Sequence, residues 1–343
     1  MIRMEKEIMQ CWQYQDPLLV SIVCFSYNLE RYIEDAIKSF LVQETTFPFE
    51  IIIHDDASID STQEIIKDYV KKYPNLIKPI FQKENQCSQP GKNFRFIQTM
   101  VLPQARGKYV ALCDGDDCWI DANKLQIQVE EMQKNPKCHI SFHPILLRSD
   151  HKPDKIVANH TSHQKIYPVR KVILGGALFC HTSATMIKKD VIDNLPKWYF
   201  DVQIGDYFLQ ILAALPSGAL YINKVMSVYR TDTINGWSEK MAKEKNRVYN
   251  YFIGMLASLA DVDAYTNFEY MSEFNIIRRK LCFSMCRNPV FSLEERREIY
   301  LQYRDKLDLK DKIIWYLVYN NQLIFKWVHK LEKQIRRSPL ISR

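Results

Sequence analysis

Four consecutive residues, Asp114-Gly115-Asp116-Asp117, put three carboxylates within one turn of chain. Carboxylates that close repel one another unless a cation or hydrogen-bond donors neutralise them. Mg2+ and Mn2+ are hard ions that take one or two carboxylates and complete their shells with phosphate oxygens and water. An Asp-x-Asp turn at the end of a strand therefore suits a metal–diphosphate complex, with one carboxylate on the ribose hydroxyls and another on the ion. The plainer alternative is a solvated turn, for which Asp and Gly are ordinary residues. A second acidic pair, Asp55-Asp56, is followed by Ala57-Ser58. A carboxylate only accepts hydrogen bonds, so Asp56 matches the N3–H donor of a uracil ring. The same segment precedes a helical pattern and equally suits a cap, although Asp60 or Ser61 also fills that position. His181-Thr182-Ser183 follows an apolar run. Its histidine either faces an acceptor or, as lone histidines more often do, sits satisfied in the core.

Apolar periodicity predicts the elements that carry these turns. Leu18–Phe25 is nearly all apolar, the pattern of a parallel strand buried on both faces. Leu29, Ile33, Ala36, Ile37, Phe40 and Leu41 then recur at helical spacing. Phe49–Ile53, Ile77–Phe81 and Tyr109–Cys113 read as further strands. A capping-box start at Asp60 and Gln63 opens a helix to Tyr73, and Asn93–Met100 and Lys124–Asn135 read as helices. Such alternation predicts a doubly wound parallel sheet that binds ligands at the carboxyl ends of its strands. Both acidic turns fall at those ends. Farther along, Ile140–Leu147 and Val169–Leu174 read as strands around a polar loop, Ser149–Gln164. Asp206–Leu215 reads as a helix, Ala219–Tyr229 as one strand, and Lys243–Lys333 as mostly helical.

Bulk properties narrow the class. The 343 residues are 25% charged and 47% hydrophobic, which excludes a disordered chain and a multispan membrane protein. The net charge of +7 fits a phosphate-bearing ligand or an anionic membrane surface, with no nucleic-acid partner called for. Nine cysteines at irregular spacing, several inside apolar runs, predict free buried thiols and a cytoplasmic setting. Residues 1–16 lack the apolar core of a signal peptide, and no stretch approaches the roughly 20 apolar residues of a membrane span.

Taken together, Ser21-Ile22-Val23-Cys24-Phe25-Ser26-Tyr27-Asn28, His54-Asp55-Asp56-Ala57-Ser58, Gly107-Lys108-Tyr109 and Asp114-Gly115-Asp116-Asp117-Cys118-Trp119 resemble the family 2 glycosyltransferases of the GT-A fold. The resemblance runs from Leu18 to Ser238, with the motifs in the family's order. Ile204-Gly205-Asp206-Tyr207, Val225-Met226-Ser227-Val228-Tyr229-Arg230 and Gly236-Trp237-Ser238 resemble bacterial members that build lipopolysaccharide or capsule glycans.

The fold implied is α/β and Rossmann-like, a mixed, mainly parallel sheet with flanking helices and a C-terminal helical extension. A catalytic domain would occupy residues 1–238 and the extension residues 239–343. The activity implied is metal-dependent, inverting hexosyl transfer from a nucleotide sugar, by family habit a UDP-sugar, to a glycan or lipid-linked acceptor. By the same resemblance Phe25 and Tyr27 would line the nucleotide base, Asp56 would contact it, and Asn93 falls near a nucleotide contact. Asp114 would sit on the ribose side, with Asp116 as principal ligand of Mn2+ or Mg2+ and Asp117 supporting the ion or the donor sugar. Asp206, which on the residues alone reads as a helix N-cap, would be the catalytic base, with Asp201 in reserve. Many relatives carry a histidine shortly after Tyr-Arg; this chain has Thr231-Asp232 there.

Two other function classes are weighed. A sugar-phosphate nucleotidyltransferase would carry a Gly-rich basic loop after the first strand, whereas Phe25-Ser26-Tyr27-Asn28 has neither Gly nor Lys. A non-catalytic binding or scaffold subunit would not need Asp114, Asp116 and Asp206 intact. Finally, Ile313–Val328 is aromatic-rich and basic residues from Lys330 to Arg343 follow. That pattern suits either a peripheral helix on the inner face of the cell membrane or a helix packed on the protein.

Overall fold

The apolar run at the start of the chain forms β1 (Val20–Ser26), and all seven of its residues are buried. Only a strand covered by helices on both faces and by strands on both edges is buried so completely. A computed structural model describes residues 2–87, 99–149, 151–202, 205–231, 233, 244–321 and 323–324. After β1 come β2 (Phe49–Asp55), β3 (Ile77–Phe81), β4 (Tyr109–Asp114), β5 (Cys118–Trp119) and β6 (Ile140–Phe142). Then follow β7 (Ile145–Ser149), β8 (Lys152–Val157), β9 (Lys165–Tyr167), β10 (Met186–Lys188), β11 (Ala219–Tyr221) and β12 (Ser227–Arg230).

Eight of these form one sheet in the order β3-β2-β1-β4-β10-β6-β11-β9, and β5-β12-β7-β8 form a second. The β3-β2-β1-β4 half is parallel, whereas β10 runs antiparallel to both β4 and β6. This is the mixed, mainly parallel α/β architecture that the sequence predicts. The amphipathic helices Ile33–Leu41 and Thr62–Lys72 pack apolar faces on the sheet, with Ile33, Ile37, Phe40 and Ile66 in its core. At the amino end of the strands, Gly107 lies so close to β1 that a Cβ there would stand 2.5 Å from the Ser21 nitrogen. Beside it, Arg106 binds the buried Glu50 carboxylate through Nε (3.0 Å) and Nη2 (2.6 Å).

Several local expectations are corrected. Val169–Gly175 is a helix, because Pro168 opens it and Val169, Val172 and Ile173 bury one helical face. The polar loop predicted at Ser149–Gln164 contains β8, an exposed strand paired with β7, whose solvated side chains give no apolar alternation. Ala219–Tyr229 is two strands in different sheets, separated by a turn in which Lys224 N–H donates to the Ile222 carbonyl. The capping box at Asp60 and Gln63 does not form. Asp60 instead accepts from the Thr62 and Glu30 amides, while Gln63 donates to Asp55. The helix predicted over Asn93–Met100 lies largely outside the described residues.

The chain divides into two compact units, residues 1–236 and 237–343. In the second, helices Lys245–Tyr265, Met271–Cys286, Leu293–Tyr303 and Leu309–Ile314 surround a core that includes Phe252, Cys286, Ile299, Trp315 and Tyr319. Trp315 stacks on Tyr300 at 3.8 Å and donates its indole N–H to the Cys286 carbonyl. The aromatic stripe is therefore split: Trp315 and Tyr319 face inward, while Tyr316 and Leu317 are exposed. Residues 325–343 lie outside the described residues. All nine cysteines are free thiols. Among the described residues no helix is long and apolar enough to cross a membrane.

Candidate active site

The site is set by where β1 stops. Phe25 stands in register with His54 on one side and Asp114 on the other, so both acidic turns leave the sheet beside the end of β1. Asp56 N–H donates to the Ser26 carbonyl (3.0 Å) and Gly115 N–H to the Phe25 carbonyl (2.8 Å), tying each turn to that strand. Gly115 is needed for the approach. A Cβ there would meet Ile33 Cδ1 at 3.0 Å and the Phe25 carbonyl oxygen at 3.1 Å.

The three carboxylates of the second turn have different surroundings. Asp114 Oδ1 is buried with no partner among the described residues. Asp116 Oδ2 accepts from Thr233 Oγ1 (3.1 Å), and the Asp116 carbonyl accepts from Arg230 Nη1 (2.8 Å). Asp117, 1% exposed, accepts the Arg230 backbone N–H at 3.1 Å. Arg230 also reaches Asp35 Oδ2 at 2.8 Å and lies over the Tyr32 ring, so one guanidinium braces the whole turn. Burial, above all, pushes the proton affinity of all three carboxyls up; for Asp114 the charges of Asp206, Asp116 and Asp117 add to it. A crowded, desolvated acid cluster with an orphaned oxygen is the environment that a divalent cation relieves. The donor set thus fits a hard ion with most of its shell supplied by a ligand. Among the described residues no three His, Cys, Asp or Glu side chains form a ready cage.

Opposite this turn stands Asp206, in the first turn of the helix Gly205–Ala214 rather than at its cap. Thr182 Oγ1 donates to Asp206 Oδ2 at 3.2 Å. Near both is Tyr229, its phenol pushed up to about 12 by burial and by the charges of Asp117, Asp116, Asp114 and Asp206. Its ring centroid lies 5.0 Å from that of His181, which burial pushes down to about 4. His181 is thus a buried, neutral packing partner, the second of the two readings drawn from the sequence.

On the other side of β1, Asp56 is 2% exposed and accepts from the Gln86 (2.7 Å) and Cys87 (3.0 Å) amides. Asp55 is consumed structurally, accepting from Ser58 N–H, Gln63 Nε2 and Ser26 Oγ. Ala57 takes a positive φ of 58°, a strained backbone that Asn28, Ser58 and Thr62 hold by stitching the β1 and β2 loops together. Phe25 is buried and Tyr27 is exposed. Asn93 and Asp232 lie outside the described residues.

The structure therefore brings Asp114, Asp116, Asp117 and Asp206 to one place and Asp56 to the far side of β1. Sequence reasoning missed Arg230, Thr233 and Tyr229 as parts of the site. Tyr229-Arg230 stood inside a recognised segment, but nothing local says that its strand pairs with β5 directly behind the acidic turn.

The sequence profile described as Glycosyl transferase family 2 matches residues 21–195, just over half of the chain. An uncharacterized protein of Mycobacterium tuberculosis is 32% identical over 70% of this chain and 66% of its own length, slightly under two thirds. The UDP-Glc:alpha-D-GlcNAc-diphosphoundecaprenol beta-1,3-glucosyltransferase WfgD of Escherichia coli is 34% identical over 37% of this chain and 45% of its own. Among solved structures, S. aureus TarS 1-349 in complex with UDP-GlcNAc superposes with a TM-score of 0.62 at 16% identity, covering 84% of this chain and 80% of that one. The mannosyltransferase PcManGT from Pyrobaculum calidifontis, in complex with GDP-Man and Mn2+, gives 0.53 at 13% identity, covering 95% and 86%. These likenesses show a GT-A-type fold.

Proposed function

The chain belongs to glycosyl transferase family 2, and from that premise we propose that it transfers a hexosyl group from a UDP-sugar to a hydroxyl of a glycan or lipid-linked acceptor, with inversion, in cell-surface polysaccharide synthesis. The observation that carries this reading is the convergence of Asp206 on the acidic turn, where Asp114 Oδ1 has no partner among the described residues. The names of WfgD, with its UDP-Glc donor and diphosphoundecaprenol-linked acceptor, and of TarS with UDP-GlcNAc support the substrate class.

In this reading Asp206 takes the proton of the acceptor hydroxyl as that oxygen bonds to the sugar C1. The bond from C1 to the diphosphate oxygen breaks, and its electron pair leaves with the nucleoside diphosphate. General-base help of this kind is worth about 10²–10⁴-fold. The hydrogen bond from Thr182 holds the carboxylate in place for the transfer. Asp116, supported by Asp117, would hold Mn2+ or Mg2+, and the ion would supply charge neutralisation to the departing diphosphate. Asp114 would take the ribose hydroxyls. Phe25, Tyr27, Asn93 and Asp56 would form the base side, where each Asp56 oxygen keeps a lone pair beyond the one N–H it accepts. The exposed Leu309, Ile313, Tyr316 and Leu317, flanked by Lys310 and Lys312, suit peripheral attachment to an anionic membrane. Tyr316→Ser with Leu317→Ser should then weaken binding to anionic vesicles.

The decisive test is release of nucleoside diphosphate from a panel of nucleotide sugars, with and without Mn2+. Slow, Mn2+-dependent release of UDP is expected. Release of pyrophosphate, or no turnover and no ligand-induced thermal shift with any donor, rejects the reading.

A further inference from the structure

Lys124 opens the helix Lys124–Lys134, directly behind the acidic turn, and is completely buried. Its ammonium donates to Gln128 Oε1 at 2.6 Å and lies 4.1 Å from the centre of the Trp119 ring. No carboxylate among the described residues pairs with it. Burying an ammonium without a counter-ion is costly, and a methionine would fill the same space without that cost. A charge kept there needs a reason beyond packing.

The two side chains that touch the ammonium give that reason. Gln128 Nε2 donates to the Ala184 carbonyl (3.0 Å) and to Ser141 Oγ (3.2 Å). Trp119 Nε1 donates to the Ser183 carbonyl at 3.0 Å. Both therefore hold the 182–184 turn from behind. On the front of that turn, Thr182 donates to Asp206. An ammonium is donor-only, so it can meet only the oxygen of the Gln128 amide and forces the NH2 group toward Ala184. Without it the Gln128 oxygen is left buried with no donor, and the grip on Ala184 is weakened.

We propose that Lys124 is a positioning residue for transfer: acting through Gln128 and Trp119, its ammonium holds the 182–184 turn, and so positions Asp206. The proposal rests on the glycosyltransferase reading above. Burial pushes Lys124 down to about 7, with the Cys113 thiol on β4 opposing the shift. The imidazole of His143, after β6, faces the same ammonium, with Nε2 buried and unpaired among the described residues. Raising pH through neutrality therefore discharges the brace.

The test uses the full chain as wild type, Lys124→Met, Gln128→Met and the double variant, with Mn2+-dependent hydrolysis of a UDP-sugar as the assay. Each single change should lower kcat by about 10²-fold, the loss that follows a small misplacement of reacting groups. The double variant should lose no more than either single one, because both remove one device. UDP affinity by calorimetry should stay within about twofold, since donor binding is untouched. Wild-type kcat should fall as pH rises past neutrality, and that limb should be missing from Lys124→Met. Additive losses, an unchanged kcat, a parallel loss of UDP affinity, or a Lys124→Met chain that melts below wild type or fails to fold would each overturn the proposal. A wild type that turns over no donor sinks the functional reading instead, so the two failures are separable.

Discussion

His181 offers a measurement of how deeply the floor of the site is buried. Burial pushes its imidazole from the ordinary 6.5 down to about 4 in the folded chain. A histidine with a lowered folded value binds protons more weakly when folded than when unfolded. Its contribution is therefore zero well above pH 6.5 and becomes destabilising as pH falls from 6.5 toward 4. The gap between the two values corresponds to about 3 kcal/mol in full, of which about 2.5 kcal/mol is expressed by pH 4.5. His181→Phe keeps a ring against Tyr229 and removes the titration. Urea unfolding of wild type and variant, compared at pH 8 and pH 4.5, isolates this one group, because every other acid-sensitive residue cancels in the difference. The variant should gain about 2.5 kcal/mol on wild type between the two pH values. If the difference between the two proteins is the same at both, the imidazole is solvated and its burial against Tyr229 is wrong.

Three further outcomes are expected. Asp206→Asn keeps the shape and the Thr182 contact but not the basicity, so turnover should fall by about 10³-fold while UDP affinity by calorimetry holds. Asp116→Ala should abolish the Mn2+-dependence of UDP binding, and a variant whose binding still responds to Mn2+ would remove Asp116 from the metal site. Gly107→Ala puts a methyl 2.5 Å from the β1 backbone, so thermal and urea unfolding should show a loss of about 3 kcal/mol, and an unchanged midpoint would contradict the close packing of that loop on the strand.

The legible parts of the chain were those with one dominant local signal. Val20–Ser26, Phe49–Asp55 and Tyr109–Asp114 each contain a continuous apolar run, the pattern of a strand buried on both faces. Val169–Gly175 misled because a short apolar run is the same string of letters in a buried strand and in a short helix; Pro168 and the position of the core settled it. The exposed strand Lys152–Val157 had no signal, since its stability comes from backbone pairing with β7 and not from its side chains.

The sequence alone determined the parallel half of the sheet and the crowding of carboxylates in its two acidic turns, because burial of β1, β2 and β4 and the spacing of acidic residues are both local properties. Tertiary structure decided the rest of the site. Arg230 braces Asp116 from 114 positions away, Thr233 meets the same residue from 117 away, and Thr182 meets Asp206 from 24 away. Such partners are chosen by which strand ends beside which, and strand order is a property of the whole packed sheet, not of any window of residues.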